Sequence, residues 1–368
     1  MAERRTPALS GPSSSVTDEL SSRRLLIDDD SLALYRRSLA EQWGDGVPLI
    51  APTESRVREL LSGSPLAADA VICKVAPRFG VATVEKIAVN AAMAGCDPAA
   101  FPLVIAAVEA MGAPEFNLFG LTTTTSSVFP MVIVNGPTRS RLEIDMASGC
   151  MGGAAGRGSM TIGRSVALCL RNIGGQSIDV TSKSVFGQPA RTGLCFAEWE
   201  EASPWPSLAQ QRGFSMDDEA VTVHGGTGTL PLADINNDDA LDLLYLIAKS
   251  IAYPLTNKFL ESTAANGQTV LAVNPAWADR FAAVFPDMPD LQSYLFEHAW
   301  QPIEVWPEAS RRVLEAKGRV DATGRVWLND RPDQIVVVVC GGRGNLHAVA
   351  LPSWAESELQ SRAAFRSG

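Results

Sequence analysis

The chain has 368 residues, of which 46% are hydrophobic, so it can bury a sizeable core in one or two domains. Its net charge of −10 argues against nucleic acid or an acidic membrane surface as a partner, because both would repel it. No apolar run approaches the roughly 20 residues that span a bilayer, and the N-terminus lacks the apolar core of a signal peptide. We therefore expect a cytoplasmic protein without a membrane partner.

The six cysteines are scattered, and no CxxC pair or HExxH motif occurs. This spacing is not that of a small secreted disulfide-rich domain, so the sequence predicts reduced thiols. With only three histidines and no usual ligand spacing, the sequence predicts no metal-ligating residues and no structural zinc site, while a metal held by scattered Asp, Glu and His that meet only after folding stays open. The identity of any organic cofactor stays open.

The first half of the chain alternates predicted helices and strands. Residues 1–25 are rich in serine and arginine and are predicted to be a mobile tail. A short strand is predicted at 71–77, followed by a helix that begins after Thr83 and ends near Gly95. A second helix is predicted from Asp97-Pro98 to Met111, with proline in the first turn.

A buried strand at 131–134 leads into the glycine-rich run 149–158, which then opens a helix at 161–170. Amide groups at such a helix start can hold an anion. The spacing of the glycines fits neither the dinucleotide fingerprint nor the P-loop, so NAD and ATP are not predicted. Residues 176–240 show little regular pattern, and long segments of this kind are often functional.

The second half echoes the first. A helical segment precedes the strand that ends in Asn135-Gly136-Pro137, and another precedes the strand at 268–273, which ends in Asn274-Pro275. The echo predicts an internal duplication, although short apolar strands of this kind also arise by chance. A third apolar strand, 335–339, runs into Cys340.

Continuous apolar strands of this kind are covered on both faces, so they predict a layered α/β fold with a mainly parallel or mixed sheet covered by helices. We expect a tail at 1–25, a first half at 26–240 that carries the glycine-rich loop and the irregular insertion, and a second half at 241–368.

Loops at the carboxyl ends of strands meet at one crevice in open α/β sheets, and we predict that they hold a small anionic substrate here. Some of these residues have an alternative role, as surface charges, turn residues or tightly packed glycines. The predicted substrate-binding residues are Lys74, Arg78, Thr124, Asn135, Gly152, Gly153, Arg157, Gly341, Gly342 and Arg343.

Three residues are candidates for catalysis. Glu85 lies near basic residues and is a candidate base, with a surface role as the alternative. His224 precedes a glycine turn and is a candidate for proton transfer. Cys195 is followed within a few residues by glutamates and is a candidate nucleophile, although a cysteine in apolar surroundings is usually part of the core.

The stretches 76–87, 130–137 and 201–205 resemble a bacterial family of unassigned activity that is associated with UGSC-motif selenoproteins. The resemblance would cover most of residues 45–355. It brings no catalytic residues that can be carried over, and the chain has no Cys-Gly-Ser-Cys motif of its own. What it implies is a redox role.

The leading hypothesis is a small-molecule enzyme that transfers a proton on a carboxylate-bearing substrate, of the lyase, isomerase or hydrolase type. One alternative is a thiol-dependent oxidoreductase that uses Cys150, Cys195 or Cys340. Another is a non-catalytic ligand-binding or accessory subunit. A homo-oligomer, most simply a homodimer, is expected because symmetric oligomers are common.

Overall fold

A computed structural model describes residues 19–152, 157–260, 267–344 and 346–364. The described strands are β1 Val71–Val75, β2 Gly80–Thr83, β3 Phe129–Asn135, β4 Leu194–Ala197, β5 Ala220–Gly226, β6 Leu230–Ala233, β7 Thr269–Val273, β8 Trp300–Pro302, β9 Arg325–Trp327, β10 Ile335–Val339, β11 His347–Leu351 and β12 Gln360–Ala363. The described helices are α1 Ser31–Ala40, α2 Glu54–Ser62, α3 Val84–Ala94, α4 Phe101–Met111, α5 Leu118–Thr123, α6 Thr138–Arg141, α7 Arg157–Asn172, α8 Leu208–Gln211, α9 Ala240–Ile251, α10 Pro275–Ala282, α11 Met288–His298 and α12 Glu308–Ala316.

Two four-stranded mixed sheets form the centre of the molecule. The first sheet has the order β12-β5-β3-β4, and the second has the order β10-β7-β11-β6. In the first, β3 runs parallel to β4 and antiparallel to β5. In the second, β7 runs parallel to β10 and antiparallel to β11. The predicted α/β class, with mixed sheets, is confirmed.

The two sheets exchange strands. β5 and β6 follow each other in the chain, yet β5 lies in the first sheet and β6 in the second. In the same way β11 belongs to the second sheet and β12 to the first. Sheet membership therefore does not follow the predicted boundary at residue 240. Both sheets show the same series of parallel and antiparallel neighbours, while the duplication of the halves stays a prediction.

The sheets lie face to face between two layers of helices. Met131 and Ile133 of β3 pack with Val336 and Val338 of β10 in a cluster between the sheets. The alternate residues of β3 point the other way and pack with α3, α4 and α7. Likewise α9, α10 and α11 cover the outer face of the second sheet. Because both faces of these strands are buried, their sequences are apolar throughout rather than alternating.

The helix boundaries follow from local signals. Thr83 caps α3 by accepting a hydrogen bond from the Lys86 backbone N–H, and Gly95 ends the helix with a φ of +79°. A short 3-10 turn at Pro98–Ala100 precedes α4, which ends at Met111 as predicted. The predicted irregular stretch 176–240 differs from expectation, since it contains β4, β5 and β6.

Of the predicted mobile tail, residues 1–18 lie outside the described residues. Ser21 and Ser22 are described and form hydrogen bonds with the Glu85 side chain. Among the described residues, no single helix is long and apolar enough to cross a membrane, and the segments Pro98–Met111 and Pro114–Thr123 pass a length and composition test only as a pair bent by 77°.

Candidate functional site

The ends of β3, β4 and β10 meet where the two sheets face each other. Just after β4, the Glu198 N–H donates to the Val134 carbonyl of β3 at 3.1 Å. The next N–H, that of Trp199, donates to the Val339 carbonyl of β10 at 2.7 Å. Two successive residues thus connect the first sheet to the second. This link brings the side chains that follow the three strands to one place.

Glu198 is the most deeply buried acid of this site, with only 1% of its surface exposed. Its Oε2 accepts hydrogen bonds from Asn135 Nδ2 at 2.7 Å and from the Leu208 N–H at 2.8 Å. Burial outweighs these bonds and raises the pKa of Glu198 to about 7. A carboxyl with this pKa can both accept and release a proton near neutral pH.

Asn135, the last residue of β3, holds two acids in place. The second hydrogen of its amide goes to Glu200 Oε1 at 2.8 Å, and the Gly136 N–H donates to the same oxygen at 2.8 Å. Its Oδ1 is buried and has no hydrogen-bond partner within the described structure. Asn135 therefore orients Glu198 and leaves one acceptor unused.

Two cysteines, Cys150 and Cys340, form a buried dithiol pair beside Glu198. The hydrogen bond that Cys340 donates lowers the pKa of the Cys150 thiol, against the effect of burial. The pKa of Cys340 lies well above its usual value because of this hydrogen bond, its burial and the nearby charges of Cys150 and Glu198. Cys150 is therefore the more acidic thiol and the better nucleophile at neutral pH.

The dithiol pair lies on two loops that touch. The Gly341 N–H donates to the Met146 carbonyl at 2.8 Å. Gly341 itself has a φ of +94°, which favours glycine. A Cβ on Gly342 would lie 2.4 Å from Ser148 Oγ and 3.3 Å from Ser148 Cβ, so the two loops are in close contact here. Ser148 and Gly149 are exposed, and both glycines after Cys340 are half-buried, so these loops lie between the thiols and solvent.

Two arginines near the site differ in their partners. Arg139 is buried and pairs with Glu200 at 3.1 Å and with Glu201 at 2.9 Å. Arg343 is exposed, and its guanidinium carbon lies 5.0 Å from the centre of the Trp199 ring. No acidic partner of Arg343 occurs among the residues that the structure describes. The arginine on the ring is thus available to an anion.

Several predicted binding residues come together here. Asn135 ends β3, Gly341, Gly342 and Arg343 follow Cys340, and Gly152 belongs to the loop of Cys150. Gly153 lies outside the described residues. Arg157 is the first residue of α7, but its side chain is not among those described.

Other predicted residues lie elsewhere. Lys74 and Arg78 belong to the β1–β2 hairpin, which packs against α4 on the outer face of the first sheet. Thr124 is the C-terminal cap of α5. The Glu85 carboxylate accepts hydrogen bonds from the Ser21 N–H at 3.0 Å and the Ser22 N–H at 2.7 Å. These contacts give Glu85 a structural task away from the dithiol pair.

The other two catalytic candidates are buried among the strands. His224 of β5 shares a 3.0 Å hydrogen bond through Nε2 with the Leu351 carbonyl of β11, which ties the two sheets together. Burial lowers the pKa of His224 to about 4 and keeps the ring neutral. Cys195 of β4 packs against the helix layer, and burial raises the pKa of its thiol strongly. Both environments favour packing over chemistry.

Sequence reasoning missed the role of Glu198 and the pairing of Cys150 with Cys340. The available signal was positional, because Glu198 and Cys340 each come directly after a buried strand. Within the described ranges, no group of three or more His, Cys, Asp or Glu is arranged to hold a metal ion. No model of a known protein family matches the chain, and no curated protein matches it.

Proposed function

We propose that the protein is a thiol-dependent oxidoreductase that reduces a small disulfide. The single observation that supports this most directly is that Cys150 and Cys340 are both buried in the cluster between the sheets, on two loops joined by the 2.8 Å bond from the Gly341 N–H to the Met146 carbonyl, near the buried carboxyl of Glu198. A nucleophilic thiol, a second thiol within hydrogen-bond reach and a nearby proton acceptor are the groups that thiol–disulfide exchange requires.

The reaction would proceed in two exchanges. The Cys150 thiolate attacks one sulfur of the substrate R–S–S–R, the S–S bond breaks, and R–S⁻ leaves with the electron pair and takes up a proton from solvent. Cys340 then gives its proton to Glu198 and attacks the Cys150 sulfur, releasing the second thiol, which is protonated in turn. The substrate gains two electrons and two protons, the protein is left with a Cys150–Cys340 disulfide, and an external dithiol restores it.

Glu198 and Asn135 would have distinct tasks. With a pKa of about 7, Glu198 is matched to receive the proton of Cys340 at neutral pH. Asn135 is a positioning residue, because it holds Glu198 Oε2 by a 2.7 Å hydrogen bond and does not itself move a proton.

A cytoplasmic location belongs to this proposal, because a reducing compartment supplies the thiols that would regenerate the pair. The resemblance to UGSC-motif proteins also points to redox chemistry. The homodimer predicted above is retained as an expectation without a role in the reaction.

The test is a thiol count after a single turnover. The full-length protein is reduced, freed of reductant and mixed with excess 2-hydroxyethyl disulfide, and its intact mass and peptides are then analysed. We expect a Cys150–Cys340 disulfide in the wild type and a mixed disulfide on Cys150 in Cys340→Ser. Cys195→Ser is the matched control, since it removes another buried thiol, one inside β4, and it should react like the wild type. Equal oxidation in Cys150→Ser and the wild type would contradict the proposal.

A second function, proton transfer on a carboxylate-bearing molecule, is favoured by the pKa of Glu198 alone. Glu198 would then take the task that the sequence predicted for Glu85 or His224. Mass spectrometry of a ligand that co-purifies would identify the substrate. With that substrate, the proton-transfer mechanism predicts that Glu198→Gln loses activity and that the Cys150→Ser, Cys340→Ser double variant keeps it. The thiol mechanism predicts that both variants lose activity. A ligand-binding protein without activity would convert the substrate in neither case.

A further inference from the structure

Arg343 has a fixed place close to the dithiol pair. It follows Cys340 by three residues, a stretch of chain that spans at most about 10 Å. Its guanidinium lies over the Trp199 ring, and the Trp199 N–H is bonded to Val339, the residue before Cys340. The Trp199 ring, the Arg343 guanidinium and the Cys340 thiol are therefore all positioned by the carboxyl end of β10.

The partners of Arg343 differ from those of the buried arginine at the same strand ends. Arg139 is neutralised by Glu200 and Glu201. Arg343 is exposed and lies over an aromatic ring, and it forms no ion pair with any acid in the described part of the chain. A ring holds a guanidinium in place without cancelling its charge, which leaves the N–H groups free for a carboxylate.

We propose that Arg343, supported by Trp199, binds a carboxylate of the substrate, so that the site prefers anionic disulfides over neutral and cationic ones. This inference rests on the proposed thiol–disulfide exchange and names its substrate class. The chain as a whole carries a net charge of −10, so a local cation is needed for an anionic substrate to approach.

The experiment compares three disulfides that differ in charge: 3,3′-dithiodipropionate, 2-hydroxyethyl disulfide and cystamine. The pre-reduced protein reacts with each in excess, and quenched samples give the second-order rate constant of thiol loss. We expect Arg343→Ala to slow the reaction with dithiodipropionate about tenfold or more, the usual effect of losing a charge-assisted hydrogen bond, while the neutral disulfide reacts at its former rate. Arg343→Lys should recover part of the loss, and added salt should narrow the difference between the wild type and Arg343→Ala with the anionic disulfide.

Arg312→Ala is the matched control, because Arg312 is an exposed arginine on α12. It should change none of the three rates. Equal rates for the three disulfides in the wild type, or an equal loss with all three in Arg343→Ala, would overturn the inference and leave the exchange reaction standing. If none of the three oxidises the dithiol pair, the proposed function itself fails.

Discussion

The side-chain amide of Asn135 donates a 2.7 Å hydrogen bond to the carboxyl of Glu198, across the parallel strands β3 and β4. This bond stabilises the ionised carboxylate, while burial stabilises the neutral acid. The effect of burial is the larger, so the pKa of Glu198 is raised. A group in this balance makes both the folding and the chemistry of the protein depend on pH in the neutral range.

Glu198→Gln should remove a pH dependence of stability. The pKa of Glu198 is about 7 in the folded state against 4.5 ordinarily, so the folded protein keeps a proton that the unfolded chain loses. Its contribution to the free energy of unfolding is full below pH 4.5 and is lost as the pH rises through 7, by about 3 kcal/mol. Urea unfolding between pH 4.5 and 8 measures this as a fall of about 3 kcal/mol in the stability of the wild type relative to the variant. A difference that stays constant would contradict the pKa, and the exposed Glu308→Gln serves as control.

The contribution of His224 to the free energy of unfolding should change with pH in the opposite direction, because it is lost when the pH falls rather than when it rises. Its pKa is about 4 in the folded state against 6.5 ordinarily, so the stability gained from the neutral ring is full above pH 6.5 and is lost as the pH falls through 4. His224→Gln should therefore cost most near pH 8, about 1–3 kcal/mol through the bond to Leu351, and least near pH 4. Urea unfolding at these pH values checks the trend. The exposed His347→Gln should show no such change, and a constant cost for His224→Gln would argue against a buried neutral ring.

The strands and helices were predictable, but the pairing of the strands was not. The apolar runs 131–134 and 335–339 mark β3 and β10, since strands covered on both faces need no polar positions. Nothing local distinguishes β6, which joins the second sheet, from a strand that would stay beside β5. Pairing is decided by contacts between residues that are far apart in the chain, such as Met131 with Leu194 and Ala348 with Leu232.

Part of the candidate site was also predictable from the sequence, and part was not. Asn135 and Arg343 were found because the carboxyl ends of strands gather polar residues. Glu198 was missed because it follows a strand of only four residues, and its pKa depends on the burial that the second sheet supplies. His224 and Cys195 have reactive side chains, but the sequence does not reveal that packing encloses both.

Arg139 should contribute more to the free energy of unfolding than an exposed arginine does. It is only 2% exposed and compensates Glu200 and Glu201. Arg139→Met would leave the Glu200 carboxylate, which is only 15% exposed, without its cation and should cost about 1.5–3 kcal/mol in the free energy of unfolding. Arg312→Ala, which breaks an exposed pair with Glu308, should cost less than about 1 kcal/mol. Urea unfolding compares the two variants. A cost for Arg139→Met as small as that of the control would show that the pair is not desolvated, whereas Arg139→Met with Glu200→Gln should recover part of the loss.

Glu85 should hold Ser21 and Ser22 in place against α3. Burial alone would raise the pKa of the Glu85 carboxyl, but the hydrogen bonds from Ser21 and Ser22 lower it. The charged carboxylate is therefore the form that binds these two residues. Glu85→Ala should release Ser21 and Ser22 and speed tryptic cleavage after Arg23 and Arg24, because a protease cleaves a locally unfolded backbone. Timed digestion followed by mass spectrometry of the fragments measures the rate.

The control for this experiment is Glu54→Gln, which breaks the exposed pairs of Glu54 with Arg24 at 3.0 Å and with Arg58 at 2.9 Å and should hardly change the rate. The reaction of the dithiol pair with disulfide should be the same in wild type and Glu85→Ala, because the contacts of Glu85 are with the N-terminal segment. Loss of that reaction with cleavage unchanged would reverse the assignment and make Glu85 a participant in the chemistry, as the sequence alone predicted.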